Sequence, residues 1–186
     1  MSDFTLPASN PMDRIRRLSL IMQGVVIGGA LFAELALAWV WLSPGIIESL
    51  VLPRLGLSPA DITLDGTTRA YGFVISSLPL GVVFYALYHA FFLFAGYRRG
   101  EIFTLRAVER LRHIALAVVG AVFMSPFVQG ALSAALSFGA APGNRSITMS
   151  FSLQDYLVAT LGGLLLAIAY VMAEAVRIAK ESREII

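Results

Sequence analysis

The sequence predicts an all-α integral membrane protein: one domain over residues 1–186, a four-transmembrane-helix bundle, N-in/C-in. Three observations carry that prediction. The first is composition: 58% of the 186 residues are hydrophobic, only 14% are charged, and the mean hydropathy is +0.78. Too little polar material remains to coat a soluble domain of this length, so lipid must solvate much of the chain. The second is a set of four apolar runs, at 18–42, 71–97, 114–138 and 156–176. Each reaches the ~20 residues that cross a ~30 Å hydrocarbon core. The third is charge placement. Eleven of the 14 Lys and Arg residues fall in the arm 1–17, the connection 98–113 and the tail 177–186, against three in the other two connections. By the positive-inside rule that puts both termini in the cytoplasm.

The elements follow in order. The first run follows Arg14, Arg16 and Arg17 and ends near Trp39 and Trp41, which are expected in an aromatic belt at the far interface. Ala36-Leu37-Ala38 resembles a signal-peptide cleavage site, but the run is longer than the usual ~7–15-residue apolar core of a signal peptide. In the next connection, Pro44, Gly45, Pro53, Gly56 and Pro59 forbid one long helix. Ile46, Ile47, Leu50 and Val51 nevertheless keep helical spacing, which predicts a short helix lying in the interface. Asp61 to Gly66 alternates and ends in a turn signal, and Arg145 to Phe151 alternates over seven residues. Both read as short strands, which predicts a small two-stranded extracytoplasmic β pairing.

The second run carries Pro79, with Tyr85, Tyr88, His89 and Tyr97 in its inner half. Thr104 is an N-cap for a helix starting at Leu105, which is expected to continue unbroken into the third run, past Pro126. The fourth run continues into a charged helical tail, where Arg177/Glu181 and Lys180/Glu184 are i,i+4 pairs. Small residues mark close helix contacts: Gly24 and Gly28 with Gly29 and Ala33, then Gly130/Ala134, then Ala159, Gly163 and Ala167. Packing within the bundle is their first reading, a homodimer seam the second.

Chemistry is sparse. The chain has no HExxH, GxSxG, Walker or dinucleotide motif, no cysteine and only two histidines. It is therefore read as non-enzymatic, with no catalytic residue, no cofactor and no metal site. A pI near 9.2 would point to nucleic acid in a soluble protein, but here the basic residues border apolar runs, so direct nucleic-acid binding is not expected. Polar residues within the spans form the candidate intramembrane site: Glu34, Gln129 and Thr160 at similar depth, with His89 shallower. A carboxylate within a span is costly and faces the protein interior by default, so Glu34 is the sharpest of these. Its structural alternative is a hydrogen bond to Gln129 or Thr160, or a reach to Arg69. The second candidate is a cytoplasmic docking surface of mixed charge: Arg106, Glu109, Arg110, Arg112, Arg177, Lys180 and Glu181. The alternative there is a solvated face gripping anionic lipid heads.

Gly100-Glu101-Ile102-Phe103-Thr104, followed by Val108, Arg110-Leu111-Arg112 and an apolar run, resembles the G-x-x-F-[ST] … R-L-R pattern of a bacterial membrane family, domain of unknown function 2975. The tail Ala173 to Ile186, with Arg177, Glu181, Glu184 and a final hydrophobic pair, is similar to the charged C-terminal end of that family. The resemblance covers nearly the whole chain and brings no activity or catalytic residue with it. Members are often encoded beside small helix-turn-helix regulators, which implies a membrane-bound regulatory pairing. The expected function is thus a regulator or sensor in the bacterial cytoplasmic membrane that engages a cytoplasmic DNA-binding regulator. The alternatives are a small-molecule or ion-handling protein using Glu34, and an accessory subunit packing through its glycine stripes.

Overall fold

The computed structural model describes residues 11–58, 62–137 and 147–184. Among the described residues, four helices are long and apolar enough to cross a membrane. They are α1 (Pro11–Leu42), α2 (Gly66–Arg98), α3 (Leu105–Ser137) and α4 (Leu153–Glu184). Each has 32 or 33 residues, so at ~1.5 Å per residue it outruns a ~30 Å hydrocarbon core. Their outward faces carry large apolar side chains such as Phe32, Leu35, Phe123, Phe127 and Val171, all at least 65% exposed. Water would not tolerate so continuous an apolar surface; a bilayer does. The chain is a multi-pass membrane protein.

The helices run antiparallel in chain order. Arg98 near the end of α2 reaches Gln23 near the start of α1, and Tyr85 of α2 meets His113 of α3. Gly162 of α4 lies against Val118 and Val119 of α3, so close that a Cβ there would stand 2.8 Å from Val119 Cγ2. Packing is serial: α1 on α2, α2 on α3, α3 on α4, with no comparable contact between α1 and α4. The helices form a layer open along one side, where a closed bundle would bring first and last together. Gly24, Gly28 and Gly29 of α1 and Gly163 of α4 have no neighbour within 4 Å of where a Cβ would be. The expectation that they pack within the bundle is therefore corrected; the contact glycine of α4 is Gly162.

At the arginine-rich end, Gly100 turns α2 into α3. Its φ of 83° is left-handed, and Glu101 N–H donates to Gly96 O while Gly100 N–H donates to Tyr97 O. This paired closure needs glycine at that place. Thr104 then caps α3, its Oγ1 accepting from Ala107 N–H at 3.2 Å. The Gly100…Thr104 spacing is thus a turn code: one helix stop, one helix start.

The opposite end holds the only cluster of large, fully enclosed apolar side chains among the described residues. After Leu42 the chain forms a bent helical elbow: Pro44–Ile46, a π-helical turn Ile47–Val51, and Leu52–Arg54. Gly56, at φ 66°, stops it with the same pair of bonds, Leu57 N–H to Leu52 O and Gly56 N–H to Pro53 O. Ile47, Leu52, Leu55 and Leu57 fold inward against Trp41 of α1 and Leu136 of α3. Ile47 and Leu52 have no exposed surface, so this side of the elbow is part of the protein core. Trp39 is 66% exposed but Trp41 only 5%, which corrects the aromatic-belt reading for Trp41. Its ring lies where a Cβ on Gly72 would be, within 2.6 Å.

No strand forms among the described residues, so the β pairing is also corrected; Asp61 and Arg145-Ser146 lie outside them. Ile62 to Leu64 runs extended into Asp65, whose carboxylate caps α2 by accepting from Thr68 N–H at 2.8 Å. Hydrogen bonding from the Thr68 side chain, and then from its backbone N–H, holds the Asp65 carboxyl below its ordinary value. Ile147 to Ser152 is extended too, but pairs with a helix. Thr148 N–H donates to Ser133 Oγ and Thr148 Oγ1 to Leu55 O, both at 2.9 Å. Side chains of α3 supply the partners that a neighbouring strand would have supplied.

Placing a methyl on Gly72 forces the Trp41 ring out of its seat. Gly72→Ala should therefore lower the melting temperature in detergent, while Gly28→Ala, which meets nothing, should leave it unchanged. Equal melting temperatures for the two variants would contradict this packing.

Candidate functional site

The open side of the layer encloses a cavity of about 910 Å³ below the elbow. All four helices contribute. Ala33, Ala36, Leu37, Val40 and Trp41 come from α1, Ser76, Pro79, Leu80 and Val83 from α2, and Ser125, Gln129 and Leu132 from α3. Leu50, Val51, Arg54 and Leu55 of the elbow roof it. Ser150 and Ser152 of the extended segment, with Gln154 and Asp155 of α4, close the far wall. The volume falls within the ~300–1,000 Å³ typical of small-ligand sites, and the lining has their usual character, apolar with a few polar groups.

The polar groups are held unequally. Gln129 donates to Ser125 Oγ at 3.2 Å and to Ser150 O at 3.3 Å, and accepts from Ser150 Oγ at 2.8 Å. Asp155 is half of a reciprocal cap: its Oδ2 accepts from Ser152 N–H and Oγ, and its own N–H donates to Ser152 Oγ. Arg54 differs. It is exposed and makes no hydrogen bond or ion pair among the described residues. Pro79 and Pro126 lie within α2 and α3; each lacks an N–H, which frees the carbonyl four residues earlier, at Ile75 and Val122.

The intramembrane candidates are not brought together. Gln129 lines the cavity, but Thr160 bonds back to Tyr156 O of its own helix at 2.9 Å and is exposed. Glu34 is exposed and makes none of the bonds expected of it, to Gln129, Thr160 or Arg69. One residue is ~100° round a helix, so Glu34 stands off the side from which Ala33 and Leu37 line the cavity. His89 belongs to a separate aromatic group near the arginine-rich end. Its ring stacks on His113 with centroids 4.5 Å apart, and Tyr85 Oη lies 2.8 Å from His113 Nδ1. Among the described residues no cluster of three or more His, Asp or Glu groups could hold a metal ion.

The charged candidates divide likewise. Arg110 is half-buried, donates to Phe92 O and lies over the Phe92 ring, so it ties α3 to α2. Arg106, Glu109 and Arg112 are exposed, and Arg112 lies 5.9 Å from the Tyr170 ring centroid. Arg177 pairs with Glu174 at 2.6 Å and with Glu181 at 3.8 Å, and Lys180 is exposed. The Glu184 side chain of the other expected pair lies outside the described residues. Phe103, in the turn beside these charges, is 75% exposed.

Arg54, Ser150 and Asp155 are the site residues that sequence reading missed. Arg54 ends the elbow, Ser150 lies in the connection before α4 and Asp155 in the first turn of α4, and only the folding of the elbow and of 147–152 onto α3 brings them to one cavity. The Ser152…Asp155 capping spacing was the one signal in the sequence that fixes where that segment ends.

Comparison with known proteins adds one finding. The family model described as "Protein of unknown function (DUF2975)" matches residues 46–186, about three quarters of the chain. The match takes in the elbow from Ile46 on, with α2, α3 and α4, and leaves the whole of α1 outside. No curated protein and no solved structure matches the chain.

Gln129→Leu removes the side chain that holds Ser150. Leaving such a group unpaired costs ~1–3 kcal/mol, so amide hydrogen exchange over 147–152 should speed up while α2 stays protected. Glu34→Gln, remote from the cavity, should leave both exchange patterns unchanged.

Proposed function

We propose, for a chain that belongs to the protein family of unknown function DUF2975, a non-enzymatic membrane binding protein that takes a small amphipathic ligand from the bilayer or its surface. The cavity beneath the elbow carries this reading: about 910 Å³, mainly apolar along α1 and α2, with polar groups along α3 and the segment before α4, and lined by every long helix. The space opens on the side that the layer leaves uncovered, so its apolar lining has dispersion contacts to offer an occupant. This is the small-molecule alternative of the sequence reading, with Glu34 replaced by the cavity residues.

Charge asymmetry supports placing the arginine-rich end in the cytoplasm, with the elbow and cavity facing the other side of a bacterial cytoplasmic membrane. In that orientation the two sites lie at opposite ends of α3. A second reading, a regulator that docks a cytoplasmic partner such as a small DNA-binding protein, is favoured by exposed Phe103 beside Arg106, Glu109 and Arg112. An apolar anchor ringed by charge suits protein recognition. A homodimer through the bare Gly24/Gly28 face of α1 would be compatible with either reading.

Two measurements test these readings. Native mass spectrometry of the protein from its own membrane should show a bound small molecule that Ala36→Phe, which fills the cavity, no longer retains. Bare protein in both samples, or the same adduct in both, would refute the binding role. For docking, Arg106→Glu with Arg112→Glu should abolish recovery of a cytoplasmic partner in affinity purification while membrane insertion persists; Arg110 is left intact because it holds α2. Unchanged recovery would count against it.

A further inference from the structure

Within the cavity, one charged group is unspent. Gln129 has both ends of its amide engaged, and Asp155 is committed to Ser152. Arg54 lines the same space, is exposed, and makes no hydrogen bond or ion pair among the described residues. Its guanidinium keeps five donors in a planar fork that matches a carboxylate or phosphate. Below it the α1 and α2 walls are mainly apolar, while Ser125 and Gln129 line the α3 wall. Ala33 to Trp41 of α1 descends ~12 Å from the elbow towards the middle of the helix layer, with Leu80 and Val83 facing from α2. Cation above and hydrocarbon below is the polarity of an anionic amphiphile standing head-up in one leaflet.

Resting on the proposed ligand-binding role, we propose that the occupant is a single-chain amphiphile with an anionic head. Arg54 grips its carboxylate or phosphate, and its chain runs down Leu37, Val40, Leu80 and Val83. The volume accommodates one chain with its head. The Asp155 carboxylate on the far wall bonds Ser152 through Oδ2 and, among the described residues, makes no ion pair with Arg54. Each methylene buried from water contributes to binding, but chain burial alone does not distinguish heads. Selectivity for the anion must come from Arg54.

The chain supplies its own reporter. It contains two tryptophans; Trp41 lines the cavity and Trp39 is exposed. In a Trp39→Phe background, the full-length protein in phosphatidylcholine vesicles is titrated with three dibrominated C18 probes of one chain length: the ionised acid, the alcohol and the amine. The acid should quench Trp41 at about tenfold lower concentration than either of the others. Arg54→Gln should abolish that preference and Arg54→Lys retain much of it, both at unchanged melting temperature. Equal quenching by all three heads, or a preference that survives Arg54→Gln, overturns the anionic assignment and leaves the cavity as a general amphiphile site. Brominated phosphatidic acid with two chains quenching as well as the acid overturns the single-chain assignment. Quenching by no probe, or quenching unaffected by Ala36→Phe, overturns the cavity role itself.

Discussion

The structure depends on the seating of one aromatic ring on bare backbone. Trp41, near the end of α1, lies where the side chain of Gly72 would otherwise project, so α1 and α2 approach closely at the elbow end. Around that ring gather Ile47, Leu52, Leu55 and Leu57 of the elbow and Leu136 of α3. Lipid offers helices no hydrophobic reason to associate, so packing of this quality must hold them. The largest fully enclosed apolar side chains among the described residues, Ile47, Leu52 and Leu136, sit at this end of the molecule. The α1 helix is thereby fixed to its neighbours at its far end, and Gln23 and Arg98 fix it at the near end. Between these pins the layer remains open.

That openness, and the need to satisfy every backbone polar group, produce the cavity. A segment dipping back beside a helix must find partners for its amides and carbonyls. Ile147 to Ser152 finds them on Ser133 and Gln129 of α3 and, through Thr148 Oγ1, at Leu55 O of the elbow. One extended strip thus ties α3 to the roof and walls off the side that α1 leaves open. The same bonds spend the cavity's polar groups selectively: Gln129 and Asp155 become structural, and Arg54 remains available. The energetic logic of the site follows from the fold, since what the segment uses the ligand cannot.

Much of the helical layout was legible in the sequence, because long apolar runs and clustered arginines are strong local signals. The turn at Gly100 to Thr104 was legible for the same reason: a left-handed glycine and a threonine cap act within a few residues. Other features were not local. Alternation over 145–151 reads as a strand wherever it occurs, yet the choice between a strand partner and a helix partner is made by Ser133 and Gln129, more than a dozen residues away. Trp41 and Trp39 are two residues apart and indistinguishable by composition; only Gly72 decides which is buried. Glu34 drew attention as a charge in a span, but its orientation depends on which side of α1 meets α2, and that is set by Gln23, Val26, Leu37 and Trp41. Arg54 looked like one loop cation among several until the elbow placed it over the cavity.

The four helices form an open layer around a fillable cavity. The absence of native cysteine makes that directly measurable. A single spin label at Ala36→Cys or Leu80→Cys, in the full-length protein in vesicles, reports local mobility and access to lipid-soluble relaxants. The open layer predicts a mobile label at both positions, accessible without ligand and immobilised when an amphiphile fills the cavity. Labels that are immobile and inaccessible throughout, as in a closed and tightly packed bundle, would contradict it.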